Sequence, residues 1–112
     1  MHKVLFYKTA AGNSVVKNWL RQFGREDRGI LGRDLGLIQV GFPLGLPLCR
    51  SLGNGLWEIR STLTSKVEAR MIFYFDSKQQ AIAILHGFVK KSMKTPKAEI
   101  DLALNRKRDA NL

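Results

Sequence analysis

The chain has a single cysteine, Cys49, in 112 residues. That excludes an internal disulfide and a cysteine-rich zinc site, and it fits a reducing compartment. Cys49 reads as a small, half-buried apolar residue rather than a nucleophile. Histidine is almost as scarce. His2 and His86 lie far apart, and no paired-histidine or clustered-carboxylate spacing offers a metal site, so no metal or cofactor is expected. Long apolar runs are missing too. The start, MHKVLFYK, is too short in apolar residues for a signal peptide, and residues 35–48 are broken by Gln39, glycines and two prolines. No membrane span is expected, and the cytoplasm is the expected location. The glycines from Gly41 to Gly45 lack the spacing of a nucleotide-binding loop. Most telling is the shortage of acid: 9 Asp+Glu stand against 19 Lys+Arg, a formal charge of +10. Residues 1–56 and 57–112 each carry +5. The excess is therefore built into the whole chain, and it points to a polyanionic partner.

What is present suffices for one domain over residues 1–112 with a genuine core. KVLFY, residues 3–7, reads as a short strand. Asn13 or Ser14 caps a helix carrying Val15, Val16, Trp19, Leu20 and Phe23 at helical spacing up to Gly24. A second helix follows, with Ile30, Leu31, Leu35, Leu37 and Ile38 on its apolar side, ending near Gly41. Gly29, Gly32 and Gly36 weaken it by about 1 kcal/mol each against alanine, unless they let it lie close to a neighbour. "GFPLGLP" is a loop stiffened by two prolines, and Asn54-Gly55 marks a tight hairpin turn. The period then changes to two in GLWEIRSTL, VEARMIFYF and AIAILHGF, joined by turns at Thr64-Ser65-Lys66 and Asp76-Ser77-Lys78. Pro96 opens a last helix with Thr95 as its cap and Ile100, Leu102, Ala103 and Leu104 on its apolar side. The predicted fold is α+β: an N-terminal strand and two helices packed on an antiparallel sheet, with a C-terminal helix.

Strand side chains alternate faces. Trp57, Ile59, Ser61 and Leu63 therefore share one face with Ala69, Met71, Phe73 and Phe75, the expected core under the N-terminal helices. The other face carries Glu58, Arg60, Arg70 and Tyr74, with Lys90, Lys91, Lys94 and Lys97 at its margin. Arginine suits bidentate phosphate contact, and tyrosine stacks on bases or donates a hydrogen bond. Cross-strand pairing of Glu58 with Arg60 and Arg70 on a solvated face accounts for the same residues. His86 falls in register with Ile82, Ile84 and Phe88, which suggests a structural histidine on the core face.

The run "LWEIRSTLTSKVEARMIFYF…AILHGFVKKSMKTPKAEIDLA" resembles the phage-derived Gp49-like branch of the RelE/HigB toxin family. Its marks are the Trp-Glu-Ile-Arg strand, the Arg-x-x-Phe-Tyr strand and Leu-x-x-Phe-x-Lys-Lys before Lys-Thr-Pro; "FYKTAAGNSVVKNWL" is similar too. The resemblance implies a RelE-like fold and the toxin of a type II toxin–antitoxin pair. Such toxins cut messenger RNA on translating ribosomes and are silenced by an antitoxin, here a helix-turn-helix protein of the HigA type. By position it implies that Arg60 faces the RNA, that Arg70 acts on the scissile phosphate, and that Lys90 and Lys91 hold the place of a further catalytic basic residue. The terminal helix has no tyrosine matching the one some relatives use, and the loop before Leu52 has no glutamate to serve as base.

On this reading RNA supplies its own 2′-OH nucleophile, and the protein stabilises the phosphorane charge without a metal. The catalytic candidates are Arg60, Arg70, Lys90, Lys91, Tyr74 and Glu58. Lys94, Lys97 and Lys66 are expected to bind RNA. The guanidinium groups of Arg60 and Arg70 should project from one uncovered sheet surface and converge on one phosphate. A ParE-like toxin of DNA gyrase and a non-catalytic basic protein that binds RNA or ribosomes stay open as alternatives.

Overall fold

The computed structural model describes residues 1–42, 49–90 and 94–110. Five strands form one sheet: β1 (Lys3–Phe6), β2 (Cys49–Gly53), β3 (Leu56–Thr62), β4 (Glu68–Asp76) and β5 (Ala81–Lys90). Three helices accompany it: α1 (Val15–Arg21), α2 (Arg25–Gly41) and α3 (Lys97–Asp109). The sheet order is β1-β5-β4-β3-β2. β3 to β5 form the expected antiparallel meander, β2 adds an edge strand that the sequence reading did not include, and β1 pairs parallel with β5, so the sheet is mixed. The reason is topological. α1 and α2 carry the chain from the β1 edge across one face to the β2 edge, and β5 returns beside β1 running the same way.

That face is the core read from alternation. Ile59, Leu63, Ala69, Met71, Phe73, Ile82 and Ile84 are buried against Val16, Leu31, Ile38 and Phe42, with Trp57 and Phe75 at its border. The apolar stripe of α2 is narrower than the sequence suggests, because Leu37 lies half exposed. Nor do the glycines of α2 serve a close approach, since a Cβ at Gly29, Gly32 or Gly36 would meet nothing within 4 Å. The close approach occurs instead at Gly87 in β5, where a Cβ would lie 2.4 Å from the Trp19 ring. Only a glycine leaves room for that indole.

The opposite face is not open. α3 lies on it, burying Leu56, Ile72, Leu85, Phe88 and Tyr7 against Ala103, Ile100 and Leu104. The expectation of an uncovered surface is corrected accordingly: a helix with its own apolar stripe has to bury it, and this face supplied the apolar partners. The Asn54-Gly55 turn is as expected. Both residues have positive φ, 55° and 77°, and they join β3 to an edge strand, β2, that has no strong apolar alternation. The start of α3 differs by one residue. Pro96 is the N-cap, without a side-chain cap bond, and the Thr95 hydroxyl turns elsewhere.

A candidate anion site around a buried carboxylate

Cross-strand register assembles the site. Glu58 stands opposite Arg50 of β2 on one side and Ile72 of β4 on the other. Arg60 stands opposite Arg70, which in turn faces Phe88, and Glu68 faces Lys90. Arg60 and Arg70 therefore share a face as expected, but as like charges placed directly opposite, an arrangement that costs stability unless acid intervenes. Glu58 intervenes. Its Oε1 lies 2.5 Å from Arg70 Nη1, 3.4 Å from Arg50 Nε and 4.0 Å from Arg60 Nε. Its Oε2 accepts a short hydrogen bond from the Thr95 hydroxyl. Glu68 takes the other end of Arg70, at 3.1 Å and 3.2 Å from Nη2.

Arg70 is thus fully buried between two carboxylates. The expectation that its guanidinium meets a phosphate in the open is corrected: the two arginines converge on a carboxylate belonging to the protein itself. The physical reason is that a buried guanidinium has to be paired and hydrogen-bonded, and Glu58 and Glu68 are its neighbours on the ladder. Glu58, another catalytic candidate, is likewise turned to the protein's own groups. Both of its oxygens are occupied and it has no solvent exposure.

The solvent-facing members are Arg50, with 45% of its side chain exposed, and Arg60, with 27%. Lys90 is buried, and its Nζ has no hydrogen-bond partner among the described residues. Burial holds its pKa below the ordinary lysine value, and Arg70, Arg50 and Arg60 add to that, while Glu58 opposes. Four cations around two carboxylates make a net positive, partly dry cluster, the electrostatic requirement of an anion site.

The remaining candidates spread out. Tyr74 is on the same face but four residues along β4 from Arg70, roughly 13 Å at strand rise. There it packs under α3 with Lys107 Nζ 5.4 Å from its ring, and burial raises its pKa. Lys97 is exposed and paired with Asp101 at 2.8 Å. Lys66 is exposed at positive φ, 66°, in the β3–β4 turn at the site's end of the sheet, and Lys94 is exposed ahead of α3. Lys91 lies outside the described residues. Cys49 is half buried in β2, its thiol pushed up to about 11 by burial and by Glu58, which suits a structural residue and not a nucleophile. Among the described residues no group of His, Cys, Asp and Glu could hold a metal, and no helix is long and apolar enough to cross a membrane.

Sequence reasoning missed Arg50. Half of the signal was available: a two-residue turn at Asn54-Gly55 requires a strand before it as well as after. Counting back would set Ser51 beside Glu58, and the register shift between Ser51 and Gly53 puts Arg50 there instead. It also misplaced His86. β4 and β5 slip register between Ile72 and Phe73, so Leu85 has no partner in β4 and His86 turns to the α3 face. There its Nε2 lies 3.4 Å from Glu99 Oε1 and its Nδ1 3.4 Å from Arg106 Nη1. A guanidinium only donates, so Nδ1 accepts and the neutral ring carries its proton on Nε2.

Residues 18–108 match the family model described as Phage derived protein Gp49-like. The chain belongs to that family. The matched span takes in Arg50, Glu58, Arg60, Arg70, Lys90 and Thr95, so the whole cluster belongs to the Gp49-like part of the chain. A comparison with curated proteins finds no match.

Proposed function

We propose that this Gp49-like protein is the toxin of a type II toxin–antitoxin pair, a metal-independent endoribonuclease that cuts messenger RNA on the ribosome and stops translation. The observation that carries the reading is the positive cluster itself: Arg50 and Arg60 reach solvent in a group with a buried Lys90 amine that lacks an acceptor among the described residues. The +10 charge and the resemblance to RelE/HigB toxins agree with it.

In the proposed reaction the RNA 2′-oxygen attacks the adjacent phosphorus as its proton leaves. The bond to the 5′-oxygen breaks, and that oxygen takes up a proton. Arg60 and Arg50 bind the non-bridging oxygens, where preorganised charge lowers the barrier. Arg70 does not touch RNA in this scheme; it fixes Glu58, and Glu58 fixes the two outer arginines. Lys90, whose ammonium form burial disfavours, takes the 2′-OH proton as a neutral amine and returns it to the departing 5′-oxygen. The ribosome orients the RNA, and orientation alone contributes several kcal/mol, about 7–11 at its best.

A HigA-like helix-turn-helix antitoxin is the proposed silencing partner, seated on the outer side of α1 and α2, where Leu37 and Val40 are exposed. A second reading has one observation in its favour. With Glu58 fully engaged and Tyr74 remote, a non-catalytic protein that grips RNA or the ribosome through the same cluster needs no acid–base pair. Toe-printing of a translated message separates the two. Cuts by the wild-type protein that vanish in Arg60→Ala support the nuclease. Intact message with ribosomes stalled and RNA bound supports the second reading. Gyrase-linked DNA breaks without either outcome would move the protein to ParE-like action.

A further inference from the structure

The Lys-Thr-Pro segment places a threonine where a helix cap is expected, yet the hydroxyl caps nothing. α3 begins at Lys97 with Pro96 as N-cap, and no side-chain bond closes that end. Thr95 is 4% exposed. Its hydroxyl donates to Oε2 of Glu58 and accepts from Arg50 Nη2 at 3.5 Å. Pro96 is itself extended, with φ −61° and ψ 142°, so the helix starts one residue later than the sequence suggests and Thr95 stands just outside the cap position.

We infer that Thr95 is a positioning residue of the anion site, a pin that sets the Glu58 carboxylate and, through it, the two solvent-facing arginines, with a direct contact to Arg50. The inference rests on the reading of this cluster as the place where RNA phosphate is bound. The geometry explains the role. With Oε2 held by the hydroxyl, Oε1 is left to face Arg70, Arg50 and Arg60. Without it the carboxylate can turn about its last bond, and Arg50 loses an acceptor as well. The arginines then sample several directions instead of one, and preorganisation is what an oxyanion site depends on. The same bond keys the start of α3 to the site, so the set of the outer arginines follows the docking of that helix.

The test uses Thr95→Val, which keeps the shape and removes the hydroxyl, beside Thr95→Ser, which restores it. On ribosomes programmed with a single message, Thr95→Val should lower kcat about tenfold with KM changed less than about threefold, and Thr95→Ser should recover most of the loss. A second readout does not need activity. The Nε–H protons of Arg50, Arg60 and Arg70, followed by NMR, should exchange with solvent faster in Thr95→Val and return toward wild type in Thr95→Ser. If wild type cuts nothing but the exchange pattern holds, the nuclease reading fails and the pin stands. If Thr95→Val leaves the arginine protons as protected as in wild type, or Thr95→Ser behaves like Thr95→Val, the hydroxyl is not the pin and the inference is overturned.

Discussion

The two ends of the α3-covered sheet face are made from the same three strands and have opposite characters. Toward Asp76 and Ala81 the face presents Leu56, Ile72 and Leu85, dry beneath Ala103, Ile100 and Leu104. Toward Glu68 and Lys90 it presents Glu58, Arg60, Arg70 and Lys90, with Thr95 hydrogen-bonded to Glu58. Both ends hold fully buried side chains, but for different reasons. The first is held by area removed from water, about 25 cal/mol per Å² of apolar surface. The second is held by mutual charge satisfaction, in which each group is tolerable only while its partner is present. The first end is tolerant and stabilising; the second is intolerant and keeps an unfilled positive excess. That difference separates scaffold from site on one continuous surface.

Several changes would break or sharpen the contrast, taken from the largest effect down. Arg70→Met strands Glu58 and Glu68 and should destabilise by about 3–5 kcal/mol, read by urea denaturation. The double change Glu58→Met with Arg70→Met should recover most of that loss; a fully additive double mutant would mean that the pair does not act as a unit. At the other end Leu56→Ala should cost about 2–4 kcal/mol yet leave RNA affinity per folded molecule unchanged, measured by anisotropy. Gly87→Ala on the α1 face should cost about 1–3 kcal/mol by forcing Trp19 aside. Arg60→Gln should shift stability by less than about 1 kcal/mol while reducing the slope of log affinity against log salt by about one.

The α3 end carries one pH-dependent element. Burial lowers the pKa of His86; Glu99 opposes this, and Arg106 adds to the lowering. A histidine depressed in the folded state binds its proton more readily when unfolded. Its contribution is therefore complete above about 6.5, the unfolded value, and is lost as pH falls below that toward the folded pKa. The melting temperature should drop between pH 7 and pH 5, and His86→Gln should flatten that part of the profile. An unchanged profile would mean that the Glu99 carboxylate compensates the charge in full. Arg106 also donates to the Leu85 carbonyl at 2.8 Å, at the residue left without a β4 partner. The loss on acidification should therefore include local release of α3, visible as faster amide exchange from Glu99 to Arg106.

Much of this was legible because alternation is local. Residues 57, 59 and 63 and residues 69, 71 and 73 sort onto the core face by counting in twos, and the structure puts them there. The turn at Asn54-Gly55 is a matter of which residues tolerate positive φ, again a local property. Other features turn on events that counting cannot see. One unpartnered residue at Leu85 inverts everything after it on β5, and so moves His86, Phe88 and Lys90 to the α3 face. Thr95 has the sequence credentials of a cap; its partner, Glu58, lies 37 residues away.

The sequence by itself determined the helices, the strands on either side of the β3–β4 and β4–β5 turns, which side chains share a face along β3 and β4, and that the molecule carries a large positive excess. Those follow from backbone periodicity and from adding charges. Only the tertiary structure decided that α3 would cover the second face, that Arg70 would be sealed between two carboxylates, and that Arg50, Arg60 and Lys90 would be the cations left for an outside anion. Whether a charge meets solvent or a partner depends on what packs over it, and that is set by distant parts of the chain.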